Sequence, residues 1–94
     1  MAVEINDHTE QSRYEARQDA ELAGIAAYER GDGVITFTHT VVPDAFEGQG
    51  VGSALARTAL DQARADGLAV VASCSFIAGW IDRHPAYADL VRDA

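Results

Sequence analysis

A glycine-rich segment between a strand-like run and a helical pattern restricts the fold of this chain more than any other feature. Gly33–Val42 (GVITFTHTVV) is dense in β-branched residues, as strands are. Ser53–Asp66 repeats apolar side chains at the spacing of a helix that buries one face. Between them lie three glycines at alternate positions, Gly48, Gly50 and Gly52. The pattern predicts a strand, a glycine loop and a helix in succession.

The residues after this helix predict a crossover to a second strand. Gly67 accepts the left-handed conformation in which helices commonly end. Leu68–Ala72 (LAVVA) is wholly apolar, which is typical of a buried strand in a parallel pair. Because the helix carries the chain back across the sheet, we expect Leu68–Ala72 to run parallel to Gly33–Val42. The three elements form one β-α-β unit.

The rest of the chain is predicted to add antiparallel strands before this unit and short helices after it. Weaker strand patterns cover three segments, Val3–Asp7, Ser12–Gln18 and Leu22–Arg30. Gly31-Asp32-Gly33 predicts a tight hairpin turn, and Pro85 divides two short helices, Phe76–Arg83 and Pro85–Arg92. The fold class is therefore α+β, with antiparallel strands, a β-α-β crossover and short C-terminal helices packed on a mixed sheet. Residues 1–94 are expected to form a single domain.

Composition excludes several classes of function. The chain has 7 basic residues, all arginine, and 15 acidic residues, and its net charge of −8 repels nucleic acid and anionic membranes. Its one cysteine, Cys74, cannot form an internal disulfide, and no metal is expected because the Cys and His spacings of zinc sites are absent. No apolar stretch has the length of a membrane span, and the first residues do not resemble a signal peptide. We therefore expect a cytoplasmic protein without nucleic-acid or membrane partners.

The glycine loop has the chemistry of a phosphate site. The first amides of a helix lack intrahelical partners and lie at the positive end of its dipole. A diphosphate can therefore bind there without any basic side chain. The absence of lysine excludes a P-loop, and the glycine spacing does not match the dinucleotide-binding fingerprint. The alternative is that the glycines only permit a tight turn between strand and helix.

Several motifs in this order resemble the GNAT superfamily of N-acetyltransferases. Residues 47–52 (EGQGVG) are similar to its acyl-CoA motif, Arg/Gln-x-x-Gly-x-Gly/Ala, with Glu47 where the family usually has Arg or Gln. Three further segments resemble a group of very short, single-domain GNAT-like proteins: residues 39–43 (HTVVP), 74–76 (CSF) and 84–87 (HPAY). The resemblance covers roughly residues 12–92.

The resemblance implies that the chain binds acetyl-CoA and moves its acetyl group to an amine on a small molecule or peptide. It implies a pyrophosphate on the glycine-loop amides and a pantetheine along the end of the preceding strand. The implied binding residues are Val41, Val42, Gly48, Gln49, Gly50, Val51, Gly52 and Ser53. Glu47 would place a carboxylate beside this anionic ligand. We also expect an open acceptor side and a monomer or weak dimer.

Cys74 and His39 are the candidate catalytic residues. Cys74 follows a strand at the carboxyl end of the predicted parallel pair, where open sheets bind ligands. His39 lies near the corresponding end of the other strand, on the face predicted for Phe37. If the strands pair, the imidazole can approach the thiol and assist it as a nucleophile. Alternatively, His39 is the base for direct transfer to an amine, or Cys74 is a small buried side chain and His39 a satisfied core histidine.

Three further residues are predicted to have structural roles. His84 is expected to cap the helix before it, and Tyr87 to pack at the sheet edge with its hydroxyl in water. Trp80 is expected on the buried face of a helix.

Two other functions stay open: a non-catalytic module that binds acyl-CoA, and an interaction domain whose glycine loop binds no nucleotide.

Overall fold

The sheet has five strands in sequential order. The structure is a computed structural model that describes residues 3–92, so residues 1, 2, 93 and 94 of the predicted domain lie outside it. The strands are β1 (Glu4–His8), β2 (Arg13–Gln18), β3 (Glu21–Gly31), β4 (Val34–Val41) and β5 (Ala69–Ala72). Strands β1 to β4 are antiparallel neighbours, and β5 runs parallel to β4. The predicted strand order, hairpin and parallel crossover are confirmed.

The hairpin between β3 and β4 contains a bulge that the sequence pattern does not indicate. Ala27 pairs with His39, but the next residue of β3, Tyr28, pairs with Phe37, so Thr38 is an extra residue in β4. Such a bulge interrupts the alternation of side chains along the strand. The prediction that His39 shares the face of Phe37 is therefore wrong.

The helix of the crossover, α1 (Val51–Ala65), begins two residues before the predicted Ser53. Its predicted apolar stripe is confirmed, because the repeating residues on one face are all buried: Val51, Leu55, Ala59 and Ala63. Gly24 of β3 lets this face come close to the sheet. A Cβ atom at Gly24 would lie 3.0 Å from Val51 Cγ1 and 3.1 Å from Leu55 Cδ1. The core therefore forms between α1 and one face of the sheet.

The C-terminal segment packs beside α1. Helix α2 (Ser75–Asp82) buries Trp80 as predicted, but Pro85–Leu90 forms a 3-10 helix where a second α-helix was predicted. The Tyr87 hydroxyl donates to Asp61 of α1 at 2.7 Å, and this bond raises the pKa of Tyr87. Tyr87 therefore packs against Trp80 and α1, and not at the sheet edge as predicted, while its hydroxyl keeps an exposed position. Within residues 3–92, no helix is long and apolar enough to cross a membrane.

Candidate functional site

A cavity of about 680 Å³ lies where the end of β4, the glycine loop, the first turn of α1 and helix α2 meet. This volume is typical of small-molecule sites. The predicted binding residues that line it are Val41, Val42, Gly48, Gly50, Val51, Gly52 and Ser53. Gln49 is not among the lining residues of the described chain, and its side-chain amide donates to the Ala45 carbonyl at 3.4 Å. The cavity thus joins the two segments that the sequence singles out.

The glycine loop and the first turn of α1 line this cavity and contain main-chain donors without an intrahelical acceptor. Gly48 and Gly50 both have φ near +79°, a conformation that favours glycine, and Gly50 is the N-cap of α1. The first helical bond runs from the Ala54 amide to the Gly50 carbonyl at 3.0 Å. The preceding amides therefore have no intrahelical acceptor, and no side chain of residues 3–92 caps this end of the helix. The loop can bind an anion through these amides and the helix dipole.

The wall opposite the first turn of α1 is aromatic. A Cβ atom added to Gly52 would lie 2.7 Å from Cζ of Phe76, so the Phe76 ring packs directly on this glycine. Trp80 donates from Nε1 to the Ser53 hydroxyl oxygen at 2.8 Å. These two contacts fix α2 against the start of α1 and shape the cavity between them.

The charged residues that line the cavity have opposite signs. Glu47 lines it and is exposed, as expected from its position in the motif. Arg83 and His84 also line it, and neither is among the predicted binding residues. Helical spacing places residues three and four positions after Trp80 on its face of a helix, but which surface that face meets depends on the packing of α2 beside α1. The cavity therefore combines main-chain donors with basic side chains.

His84 is held tightly against Trp80. The two rings stack with centroids 3.7 Å apart and planes at 11°, and His84 Nδ1 lies 2.7 Å from the Trp80 carbonyl oxygen. A carbonyl oxygen only accepts, so Nδ1 carries a hydrogen. The predicted capping contact of His84 on α2 is confirmed, and the same residue also lines the cavity.

The strands β4 and β5 part at the other end of the cavity. Strand β5 pairs with residues 34–37 of β4 and ends at Ala72, and the Cys74 amide then donates to the Phe37 carbonyl at 3.0 Å. Among the described strands, only β3 accompanies β4 beyond Phe37. The main chain from Thr38 to Val41 therefore has one open edge that can pair with an extended ligand.

Cys74 lies just behind this open edge. It is the N-cap residue of α2, its side chain is buried, and its Sγ lies 3.4 Å from the Thr40 hydroxyl oxygen. Thr40 itself lines the cavity. The polar neighbour of the thiol is thus a threonine.

His39 lies on the other side of the sheet. Thr40 and Phe37 pair with the buried residues Ala26 and Tyr28, whereas His39 pairs with Ala27 between them and is exposed. Its Nδ1 lies 3.4 Å from the Thr38 hydroxyl oxygen. The strands pair as the sequence predicts, but the bulge at Thr38 turns the imidazole away from the thiol.

Comparisons with known proteins agree with this geometry. The family model described as GCN5-related N-acetyl-transferase matches residues 13–90. A solution NMR structure from Staphylococcus aureus, of a "GCN5-like putative N-acetyltransferase", is similar with a TM-score of 0.74 and 27% identity, over 97% of this chain and 89% of that chain. None of the curated proteins matches this sequence. The chain belongs to the family of GCN5-related N-acetyltransferases.

Proposed function

We propose that this protein is an acetyltransferase that binds acetyl-CoA in the cavity and transfers the acetyl group to an amine. Family membership supports the class of reaction. The observation that carries the cofactor assignment is the row of unpartnered amides at the start of α1, which opens on a cavity of about 680 Å³. A diphosphate is the ligand group that such amides bind best.

The glycine loop and the open edge of β4 also suit the rest of the cofactor. Apart from the adjoining residues, no described atom lies within 4 Å of the position that a Cβ atom would take at Gly48 or Gly50, so the loop leaves room for a ligand against its main chain. The open edge of β4 near Val41 and Val42 supplies donors and acceptors for the amides of pantetheine. When bound, the cofactor supplies an acetyl group activated as a thioester.

Two routes of transfer fit this site. In the direct route, the amine nitrogen forms a bond to the acetyl carbon, the bond from that carbon to the CoA sulfur breaks, and the departing sulfur takes up the proton that the amine gives up. In the covalent route, the Cys74 sulfur first forms a bond to the acetyl carbon, the bond to the CoA sulfur breaks, and the proton of the Cys74 thiol goes to that departing sulfur. The amine nitrogen then bonds to the acetyl carbon, the bond to Cys74 breaks, and the amine proton restores the Cys74 thiol. The contact between Cys74 and Thr40 supports the covalent route, because Thr40 connects the buried thiol with the cavity. The exposed position of His39 does not support its predicted role as base in either route.

Ligand binding tests the cofactor assignment. Acetyl-CoA at about 100 times its Kd should stabilise the folded protein by about 2.7 kcal/mol, which thermal unfolding measures as a higher Tm. Gly50→Val should abolish most of this shift, since a β-branched residue is strained at φ near +79°. Gly33→Val is the matched control, because Gly33 has φ +77° in the hairpin turn, away from the cavity. A wild-type protein whose Tm does not respond to saturating acetyl-CoA contradicts the proposal.

Intact-mass measurement separates the two routes. The chain contains no lysine, so an acetyl group that hydroxylamine removes from the protein points to a thioester on the only cysteine. The covalent route predicts this adduct on the wild type and its absence from Cys74→Ser and Cys74→Ala. If Cys74→Ser acetylates an amine at the wild-type rate, transfer is direct and the cofactor assignment still stands.

A non-catalytic module that binds acyl-CoA is the second candidate function. It is favoured by the carboxylate of Glu47 at the cavity and by the absence of His39 from it. Tight binding of acetyl-CoA without turnover of a broad panel of small-molecule and peptide amines would support it. The cytoplasmic location and the monomeric or weakly dimeric state stay predictions.

A further inference from the structure

The part of the cavity formed by the end of α2 is basic in a strongly acidic protein. Arg83 and His84 line it, while the chain has a net charge of −8. Four other arginines pair with carboxylates: Arg13 and Arg17 with Glu15, Arg30 with Asp66, and Arg64 with Asp89. Among the residues that the structure describes, no carboxylate lies within ion-pair distance of Arg83. Its charge is therefore available to a ligand.

His84 is oriented by the protein before any ligand binds. Its Nδ1 hydrogen is committed to the Trp80 carbonyl at 2.7 Å, and stacking on Trp80 fixes the plane of the ring. The other ring nitrogen, Nε2, has no hydrogen-bond partner within residues 3–92. A fixed ring loses little conformational entropy when this second nitrogen contacts a ligand.

Trp80 contacts both His84, in the basic part of the cavity, and the start of α1. One face of its indole carries His84, and its Nε1 donates to Ser53 in the first turn of α1 at 2.8 Å. The basic side chains and the unpartnered amides therefore lie on either side of one tryptophan and line one cavity. A single ligand with phosphate groups can contact both.

We propose that Arg83 and His84 bind a phosphate group of the ligand whose diphosphate lies on the first turn of α1. This inference rests on the proposed function, and for coenzyme A the phosphate is either the diphosphate itself or the 3′-phosphate of the ribose. Arg83 supplies a charged donor. His84 already carries a hydrogen on Nδ1, so its Nε2 donates to a phosphate oxygen when the ring is protonated. The two residues offset the negative charge of Glu47 on the same cavity.

A purely structural role for these residues predicts something different. Side-chain donors at the C-terminal end of a helix stabilise its last carbonyls, and His84 Nδ1 donates to one of them. If capping were the only role, substitutions would lower the Tm of the free protein and leave ligand affinity unchanged. The two roles are therefore separable by measurement.

The experiment measures the Kd of CoA and of 3′-dephospho-CoA by calorimetry for the wild type and three variants. Arg83→Gln removes the charge, and His84→Asn removes Nε2 while an amide hydrogen can still reach the Trp80 carbonyl. Arg30→Gln, outside the cavity, is the matched control for charge. We expect Arg83→Gln to weaken CoA about five- to tenfold and His84→Asn about threefold, with Arg30→Gln within about twofold of the wild type.

The two ligands identify the phosphate. If the Arg83 and His84 variants lose affinity equally for CoA and dephospho-CoA, the contact is to the diphosphate. If they lose affinity for CoA alone, the contact is to the 3′-phosphate. The inference is overturned if wild-type protein binds CoA while Arg83→Gln and His84→Asn bind it as well as Arg30→Gln does. A wild type that binds neither ligand overturns the proposed function as well.

Discussion

The two faces of the sheet differ in what their side chains do. The face toward α1 contains the apolar core and, at the end of β4, Thr40 in contact with Cys74. The face turned away from α1 contains polar side chains, among them Glu15 and the exposed His39. One extra residue in β4, Thr38, decides that the threonine and not the histidine faces the thiol. Backbone register, more than side-chain reactivity, therefore selects the residues of this site.

The sheet face turned away from α1, the outer face, contains a cluster of ion pairs around Glu15. The residue is only 2% exposed because its carboxylate is covered by Arg13, Arg17 and His8, whose nitrogens lie 2.7, 3.1 and 3.2 Å from its oxygens. The hydrogen bond from Arg13 is the largest cause that lowers the pKa of Glu15. This cluster ties β1 to β2 and touches no part of the cavity. We therefore expect substitutions on the two faces to affect different measurements.

The largest effect on folding stability is expected at Gly52, on the side of α1. Gly52→Ala forces the Phe76 ring to swing aside, because its Cζ atom would lie 2.7 Å from the new Cβ atom. The ring is 37% exposed and can move, so we expect a cost at the low end of overpacking, about 1 kcal/mol of unfolding free energy. Gly79→Ala is the matched control, since its Cβ atom would meet Arg83 at an ordinary 3.5 Å and alanine favours a helix. Urea denaturation measures both.

The double variant Gly52→Ala/Phe76→Ala tests the cause of this loss. Removing the ring should make the Gly52→Ala change nearly neutral, so the two substitutions should not be additive. Additive losses, or a Gly52→Ala protein as stable as the wild type, contradict the packing of Phe76 on the first turn of α1.

The next effect compares neighbouring residues of β4 that point to opposite faces. Thr40→Val keeps the shape of the side chain but removes the hydroxyl at 3.4 Å from Cys74 Sγ, and we expect it to slow acetylation of the thiol about tenfold. His39→Ala should change this rate by less than about twofold, because its ring does not reach the cavity. Adduct formation followed by mass spectrometry gives both rates. If His39→Ala slows the reaction more than Thr40→Val does, the assignment of these residues to opposite faces of the sheet is wrong.

The sequence predicted the parts of this molecule that depend on periodicity. The β-branched run, the apolar stripe of α1 and the apolar run of β5 each follow one regular pattern, and each formed the predicted element. The bulge at Thr38 escaped prediction because the segment TFTHT alternates equally well with or without an extra residue. The glycine loop was predicted as part of the site because its chemistry resides in the main chain. Arg83 and His84 were not predicted as part of the site, because their place at the cavity depends on the packing of α2 beside α1.

The outer face is expected to govern acid stability. Because the folded protein lowers the pKa of Glu15 below its ordinary value of 4.5, the unfolded chain binds more protons there as the pH falls. This contribution is complete above pH 4.5 and is lost as the pH falls from there through the folded-state pKa. Glu15→Gln should therefore flatten this part of the curve of unfolding free energy against pH.

Two control measurements test whether the effect of Glu15→Gln is confined to the outer face. Glu29→Gln, an exposed carboxylate of β3, is the charge control and should retain the wild-type acid dependence. The Kd of CoA should be the same for Glu15→Gln and the wild type, because Glu15 does not line the cavity. A changed Kd would show that the two faces are coupled.

The smallest effect is expected at Glu47, where the cavity carries an unfavourable charge. Glu47 is exposed and lines the cavity beside Gly48, so its repulsion of an anionic ligand is screened by water and salt. Glu47→Gln should tighten CoA binding about two- to threefold at low salt, and the gain should shrink at high salt. Glu21→Gln in β3, outside the cavity, is the control for net charge. If both substitutions have the same effect, the Glu47 carboxylate is turned away from the ligand, and the non-catalytic candidate loses one of its two supports.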